Sequence, residues 1–311
     1  MKKLAISFIT FNRAKHIKED LENITKLASD YLIDIYIYDG STNRHTEYVV
    51  KKYVDDGNNH IHYLHLNSNM STRDNLTLRL DKALLAPNAE YIWLCGDKFV
   101  VKPKYYSEIL SYIDRSYDII TIYGRILRGT KKFDNPSDFV DYAIVPITQF
   151  GSTIIKKELI ESFSIKKFRN KLPAFGIQLM YLKAIEEKSL FKGVVIDAGG
   201  QVNILTHYET KSDSLSCMWD TWIVNWYKFI HALPSTYDSI RDGLYNRPDQ
   251  QMGFFSSKEL FRQRSEGQFD WKKYMKCRKY VKKVIVMPNI LVFSIAILPK
   301  NIAKWLYNHM R

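Results

Sequence analysis

Residues 4–13 read LAISFITFNR, and this stretch sets the expectation for the fold. It is a short, nearly continuous apolar run, which is typical of a strand in a parallel sheet covered on both faces. Residues 14–29 follow with apolar side chains at helical spacing: Ile17, Leu21 and Ile24. The stretch therefore predicts the first strand and helix of an α/β domain.

The same alternation continues through the first 100 residues. It predicts further strands at 32–38, 61–66 and 91–95, and helices at 46–53 and 76–85. This order predicts a Rossmann-like, doubly wound and mostly parallel sheet. Such sheets bind ligands outside the carboxyl ends of their strands. Polar clusters follow three of the predicted strands, at residues 10–13, 39–41 and 96–98, so we expect a binding site where they converge.

The pattern is less regular after residue 103. It predicts strands at 119–123, 150–155 and 193–196, helices at 105–113, 173–187, 218–232 and from residue 157, and a polar loop at 128–142. We therefore expect one α/β domain over residues 1–215, with halves at 1–105 and 106–215. A helical C-terminal region would follow over residues 216–311.

The composition points to an anionic partner. The chain has 46 Lys and Arg against 33 Asp and Glu, a formal net charge of +13. Such an excess favours nucleic acid, a phosphorylated ligand or an acidic membrane surface. The three cysteines form no C-x-x-C pair, which fits a reducing interior and predicts neither a disulfide framework nor a zinc site.

Residues 271–311 combine a basic and an apolar segment. Residues 271–283, WKKYMKCRKYVKK, are basic with interleaved aromatics, and residues 284–298, VIVMPNILVFSIAIL, are almost wholly apolar. Lysines flanking an apolar segment suit a helix in a membrane interface, with Trp305 at headgroup level. The alternative is a helix that packs on the domain.

Three segments resemble inverting family-2 glycosyltransferases. LAISFITFNR is similar to the family's opening strand, V-S-V-I-I-P-T-Y-N-R, and IYIYDGSTN resembles V-V-D-D-G-S-T-D. AEYIWLCGDKFVVKP resembles G-E-Y-I-x-x-L-D-x-D-D and, more closely, a subgroup that reads W-L-L-G-D-D-D. The motifs occur in the family's order over residues 1–105. The resemblance implies a GT-A fold, with a nucleotide-sugar half at 1–105 and an acceptor-side half at 106–215.

The resemblance also implies donor-binding residues. Thr10 and Phe11 would lie beside the nucleoside, with Asn12 and Arg13 at the same strand end. Asp39 would accept the imide N–H of a uracil-like base as a charge-assisted hydrogen bond. The alternative for Asp39 is structural, since Asp-Gly-Ser is a good turn sequence.

A second set of candidates precedes the fourth strand. Arg73 and Asn75, together with Arg79, occupy the segment in which the family places an Arg-Asn pair near the nucleotide. Arginine suits bidentate phosphate contact. The family's spacing is stretched here, and a solvated helix face is the alternative.

The third motif departs from the family at its metal ligands. The chain keeps Gly96 and Asp97 but has Lys98 and Phe99 where further aspartates belong, and it contains no D-x-D. In the family these carboxylates hold Mg²⁺ or Mn²⁺ against the donor diphosphate. We favour a metal-independent site in which Lys98 stabilises the leaving group. Alternatively, Asp97 holds a metal with a distant ligand such as His207, or Lys98 points away from the site.

The catalytic base is left open by the sequence. An inverting transfer needs a carboxylate or histidine to deprotonate the acceptor hydroxyl. The family usually supplies an E-D pair at a helix start, where this chain has Gly176-Ile177-Gln178. The candidates are Asp141, Asp197 and His207, each with a structural alternative.

The expected function is therefore a hexosyl- or N-acetylhexosaminyl-type glycosyltransferase. It would transfer a sugar with inversion from a UDP-sugar to a lipid-linked precursor of a surface glycan, at the cytoplasmic face of a membrane. One alternative is a non-catalytic GT-A-like domain in a glycan-assembly complex. A nucleic-acid-binding protein is less favoured, because no recognised nucleic-acid motif is present.

Overall fold

A computed structural model of the chain describes residues 2–66, 70–97, 99–100, 104–123, 129–198, 203–204 and 218–310. The chain divides into two compact units. The first comprises Met1–Lys171 and Met180–Thr206, and the second comprises Leu172–Leu179 and His207–Arg311.

The described residues of the first unit form ten strands. They are β1 (Lys2–Thr10), β2 (Asp34–Asp39), β3 (Ile61–His65), β4 (Ala89–Gly96), β5 (Phe99–Val100), β6 (Ile119–Tyr123), β7 (Lys131–Phe133), β8 (Thr153–Lys156), β9 (Gly193–Asp197) and β10 (Asn203–Ile204). Eight form one sheet in the order β3-β2-β1-β4-β8-β6-β9-β7, and β5 pairs with β10.

The sheet is mostly parallel. Strands β1 to β4 pair with one another in parallel, and β6 pairs with β9 in parallel. Strand β8 runs antiparallel between β4 and β6, and β7 is antiparallel at the edge. Two reversals across β8 leave β6 and β9 pointing the same way as β4. The carboxyl ends of β1, β2, β3, β4, β6 and β9 therefore share one edge of the sheet, which is the edge predicted to bind ligand.

The helices of this α/β unit lie between the strands in sequence. They are α1 (Ala14–Tyr31), α2 (His45–Asp55), α3 (Thr72–Leu85), α4 (Lys104–Asp114), α5 (Pro136–Thr148), α6 (Ile165–Lys171) and α7 (Gly176–Ile185), whose first residues belong to the second unit. Helix α1 buries the predicted apolar stripe of Ile17, Leu21 and Ile24. That stripe joins Phe8, Trp93 and other strand side chains in one core.

Two predictions in the second half of this unit are wrong. Residues 128–142 were predicted as a polar loop, yet they contain β7 and the first turns of α5. Helix α5 begins there because the Asn135 side chain accepts hydrogen bonds from the backbone N–H groups of Ser137 and Asp138, at 2.7 and 3.2 Å. From residue 157 the chain forms only a 3₁₀ turn, Lys157–Leu159, and α6 begins at Ile165.

The second unit is helical over its described residues. A π-helical segment, Asp220–Asn225, leads into α8 (Trp226–His231), and six helices follow. These are α9 (Asp238–Leu244), α10 (Arg247–Met252), α11 (Ser257–Ser265), α12 (Trp271–Val284), α13 (Asn289–Ile297) and α14 (Lys300–His309). Buried tryptophans organise this unit: Trp219 stacks on Phe269 with ring centroids 4.2 Å apart and donates to Gln263 Oε1 at 2.8 Å.

Within the described residues, no single helix has the length and hydropathy of a membrane span. Helices α13 and α14 meet these criteria only when taken together, and they are bent by 120° at their connection.

Candidate functional site

Three strand ends meet at the carboxyl edge of the sheet. Thr10, the last residue of β1, pairs in register with Asp39 at the end of β2. On the other side of β1, Ile9 pairs with Gly96 at the end of β4. The polar residues that follow each strand are therefore neighbours, as the sequence predicts.

Asp97 links the ends of β4 and β1. Its Oδ2 accepts a hydrogen bond from Thr10 Oγ1 at 3.0 Å, and its Oδ1 accepts one from Arg13 NH1 at 2.8 Å. Asp97 is buried, whereas the Arg13 side chain is 50% exposed. The Asp97 carboxylate of this ion pair therefore lies inside the protein, and the Arg13 guanidinium lies at the surface of the site.

Arg79 is the buried cation of the site. Its NH1 donates to the Thr10 carbonyl oxygen at 2.6 Å, and its Nε donates to Asn75 Oδ1 at 2.9 Å. Burial lowers the pKa of Arg79, and the negative charges of Asp39 and Asp97 act in the opposite direction. Arg79 therefore balances both carboxylates from beneath the strand ends.

Asp39 anchors the turn after β2. Its carboxylate is fully buried: Oδ1 accepts from the Ser41 N–H at 2.8 Å and from the Ser41 hydroxyl, and Oδ2 accepts from the Tyr63 hydroxyl at 2.8 Å. Burial raises the pKa of the Tyr63 hydroxyl, and its hydrogen bond to Asp39 raises it further. The structural role foreseen for Asp39 is present, and its contact with a base stays a prediction.

Asn12 joins the loops that follow β1 and β2. It has a left-handed backbone, with φ of 55°, which asparagine tolerates better than most residues. Its N–H donates to Ser41 Oγ at 2.7 Å, and its Oδ1 accepts from the Thr42 N–H at 3.1 Å. These hydrogen bonds hold the loop that contains Phe11 and Arg13 in place.

Phe11 lies over the Arg79 guanidinium, whose Cζ is 5.6 Å from the ring centroid. The Phe11 side chain is 39% exposed despite its apolar character. A supported, partly exposed ring at this position offers a flat surface for stacking.

Of the three residues named before β4, Asn75 joins Arg79 in this cluster and Arg73 does not. Asn75 is buried in α3. Its Nδ2 donates a hydrogen bond to the Leu66 carbonyl oxygen at 2.9 Å, and its Oδ1 accepts one from Arg79 Nε. Arg73 is exposed and donates to Asn170 Oδ1 at 3.2 Å.

Two of the candidate bases lie elsewhere in the same unit. Asp197 ends β9, on the same edge of the sheet, and its Oδ2 accepts from the Gly129 N–H at 2.9 Å. Strand β9 is three positions from β4 in the sheet, which is roughly 14 Å at the usual strand spacing. Asp141 is half-buried on α5.

The described residues do not provide a metal site. They contain no group of three His, Cys, Asp or Glu side chains that could hold a metal ion. Each carboxylate oxygen of Asp97 is also engaged by a protein donor, Thr10 or Arg13. Lys98 and His207 lie outside the described residues, so metal-independent chemistry stays a prediction.

Asp20 is a buried carboxyl group that the sequence reasoning missed. It lies on α1, fully buried, and neither carboxylate oxygen has a hydrogen-bond partner among the described residues. Burial raises its pKa to about 8, and the charges of Asp97 and Glu19 act in the same direction. Asp20 is therefore neutral at pH 7 and adds no charge beside Asp97.

Other residues of the site were also missed or only partly recognised. Ser41 and Tyr63 hold Asp39, and His65 Nε2 lies 2.9 Å from the Ser41 carbonyl oxygen. Ser41 was detectable from the Asp-Gly-Ser turn. Arg79 is among the candidates named from the sequence, and it lies one helical turn after Asn75, which places both on one face of α3.

Comparison with known proteins connects this geometry to a family. The profile of Glycosyl transferase family 2 matches residues 6–172, more than half of the chain. No curated protein has a significantly similar sequence.

The solved structures that share the fold include two glycosyltransferases. The mannosyltransferase PcManGT from Pyrobaculum calidifontis, in complex with GDP-Man and Mn²⁺, has a TM-score of 0.53 and 11% identity, covering 99% of this chain and 87% of that one. TarS 1–349 from S. aureus, in complex with UDP-GlcNAc, has a TM-score of 0.51 and 14% identity, covering 94% and 87%. Because the sequence identities are this low, the two structures show a shared fold and nothing more. The shared fold confirms the predicted GT-A-type architecture.

Replacing Gly40 by alanine should disrupt the support beneath the strand ends. A Cβ atom at residue 40 would lie 2.3 Å from Asn75 Oδ1 and 2.7 Å from Arg79 Nε. We expect Gly40→Ala to lower the free energy of unfolding by about 1–3 kcal/mol, measured by urea denaturation. Gly243→Ala is the control, because a Cβ at Gly243 meets no atom within 4 Å. Equal stability of both variants would contradict the tight packing at Gly40.

Asp20 should make stability fall as pH rises. The folded-state pKa of Asp20, about 8, lies above its unfolded value. Between about pH 4 and about pH 8 the unfolded chain therefore loses the Asp20 proton more readily than the folded protein, and the free energy of unfolding falls as the pH rises. We expect Asp20→Asn to be more stable than the native protein by a margin that grows by about 1.4 kcal/mol per pH unit across this window. Urea denaturation at several pH values measures the margin.

The control for Asp20 is Asp30→Asn, which changes an exposed carboxylate on the same helix. A constant difference between Asp20→Asn and the native protein at all pH values would show that Asp20 is ionised in the folded state.

Proposed function

The chain belongs to glycosyl transferase family 2, and we propose that it transfers a hexosyl or N-acetylhexosaminyl group from a UDP-sugar, with inversion, to a lipid-linked precursor of a surface glycan. The observation that carries the donor assignment is the meeting of Phe11, Arg13, Asp39 and Asp97 at adjacent strand ends. An aromatic surface, an exposed cation and a carboxylate are the groups that a base, a diphosphate and an imide N–H require.

The base would stack on Phe11 and reach Asp39. Asp39 Oδ2 has one donor, the Tyr63 hydroxyl, and a carboxylate oxygen can accept two. The imide N–H of uracil would supply the second hydrogen bond. Because the carboxylate is buried, this bond would form away from water, where it discriminates best between bases.

The diphosphate would meet positive charge from Arg13. Its guanidinium is half-exposed and held by one hydrogen bond to Asp97, so further N–H groups are available to phosphate oxygens. We propose that Lys98 adds the charge that a metal supplies in other members, because it follows Asp97 directly and replaces an aspartate of the W-L-L-G-D-D-D subgroup. Such charge stabilises the leaving diphosphate as the glycosidic bond breaks.

The acceptor side of the site would lie along the same edge of the sheet. Of the candidate bases, Asp197 ends a strand at this edge, which supports testing it before Asp141 and His207. A lipid-linked acceptor would hold the protein at the cytoplasmic face of a membrane. The basic and apolar composition of residues 271–311 supports that location.

Base recognition by Asp39 gives a direct test of the donor. Native protein should bind UDP more tightly than CDP, because cytosine has an acceptor where uracil has its imide N–H. Asp39→Asn should lower the preference by about 10- to 100-fold, since a carboxamide can donate to cytosine and a charged hydrogen bond is lost. Isothermal titration calorimetry measures both affinities.

Ser41→Ala is the matched control for Asp39→Asn. It removes a donor from the same turn but leaves the carboxylate for the base. If Ser41→Ala also loses the preference for UDP, the effect comes from the turn and not from contact with the base. If the native protein does not distinguish UDP from CDP, Asp39 is not the base-reading residue.

Sugar release from a panel of nucleotide sugars tests the role of Lys98. We expect turnover that survives EDTA and falls by about 100- to 1,000-fold in Lys98→Met, the magnitude seen when one charge-stabilising donor is removed. Lys98→Arg, which keeps the charge, is the control. Loss of activity in EDTA and its recovery with Mn²⁺ would contradict the metal-independent mechanism. Donor binding without turnover would favour the non-catalytic alternative.

A further inference from the structure

Helix α13 is apolar on both of its faces. Its sequence, NILVFSIAI, has no charged residue. The inner side chains Val292, Ile295 and Ala296 are buried in the second unit. A helix that is apolar all round is normally covered on every side, so its outer face needs a partner.

The outer face of α13 consists of Ile290, Leu291 and Ile297, which are 68%, 50% and 54% exposed. Ile290, Ser294 and Ile297 are four and three residues apart, and therefore form one row along the helix. Ser294 does not break this row, because its hydroxyl donates to the Ile290 carbonyl oxygen at 2.9 Å.

Other exposed apolar side chains lie elsewhere in residues 271–311 of the second unit. Val286 precedes α13, and Trp271 at the start of α12 contacts Phe293 of α13 with ring centroids 6.5 Å apart. Ile302 and Trp305 on α14 are 47% and 58% exposed. Residues 271–311 thus expose large apolar side chains from all three of their helices.

Charge identifies the partner. Residues 271–311 contain ten Lys and Arg and no Asp or Glu, so most of the net charge of the chain lies here. Among the described residues of the unit, Lys276 pairs with Asp220 and Lys283 with Asp242. The remaining positive charge would repel a second copy of the same surface, whereas it matches the headgroups of an anionic bilayer.

The dimensions of α13 fit a position in the plane of the interface. Nine residues span about 14 Å, and the hydrocarbon core of a bilayer is about 30 Å thick. A helix of this length lying along the headgroup boundary buries its outer face while flanking lysines extend to the phosphates.

We propose that the outer face of α13 inserts into the surface of an anionic lipid bilayer, with the lysines of α12 and α14 contacting the headgroups. The proposal rests on the membrane location in the proposed function and adds the residues that would bind lipid. It concerns the second unit alone, so it can be tested separately from donor binding.

Vesicle co-sedimentation tests the proposal with the full chain. Native protein should bind vesicles of phosphatidylcholine mixed with phosphatidylglycerol, and bind pure phosphatidylcholine at least tenfold more weakly. Ile290→Gln combined with Ile297→Gln should weaken binding to the anionic vesicles on the order of 100-fold. Leu190→Gln, which changes an 85% exposed leucine of the first unit, is the matched control and should bind as the native protein does.

A second pair of variants tests the charge. Lys282→Glu with Lys304→Glu should weaken binding to anionic vesicles at least tenfold, whereas arginine at both positions should preserve it. UDP affinity should be unchanged in all these variants, and thermal unfolding checks that each one folds. Equal binding of native protein to both kinds of vesicle, or no loss in the Ile290/Ile297 variant, would overturn the proposal. A dimer in sedimentation velocity that this variant abolishes would also overturn it, by assigning the face to a second copy.

Discussion

The buried guanidinium of Arg79 is the interaction on which the candidate site depends. Two carboxylates, Asp39 and Asp97, are buried at neighbouring strand ends, and burying like charges together is costly unless a cation compensates them. Arg79 supplies that cation and also binds the Thr10 carbonyl oxygen. Glycine at residue 40 is part of the same arrangement, because only a residue without Cβ leaves room for Asn75 and Arg79.

Charge balance at this edge extends into the core. Asp20 has no hydrogen-bond partner among the described residues, and burial raises its pKa to about 8, so this carboxyl group is mostly protonated at pH 7. A charge on Asp20 would add a further, uncompensated negative charge to a region of low dielectric. Among the described residues, the site therefore contains the buried carboxyl groups of Asp39 and Asp97, the buried guanidinium of Arg79 and the exposed guanidinium of Arg13.

Local sequence pattern was sufficient for the first half of the fold. The apolar run of β1 and the stripe of α1 are short-range signals, and the order of these elements limits the sheet to a few topologies. The missed start of α5 also had a local signal, Asn135 followed by Pro136, which the polarity of residues 128–142 obscured. The contacts of Arg79 could not be predicted in this way, because Thr10 is 69 residues away and no periodicity links the two. The lack of partners at Asp20 likewise depends on three-dimensional packing.

The pairing of Arg13 with Asp97 has a further consequence for any anion that reaches this edge. Asp97 accepts a hydrogen bond from one of the guanidinium N–H groups of Arg13, so the chain itself supplies an anion that competes for this side chain. An anion that binds the other N–H groups of Arg13 would share the guanidinium with Asp97, and the negative charge of the carboxylate would offset part of the attraction. Asp97 would therefore limit how tightly this edge of the sheet can hold an anion.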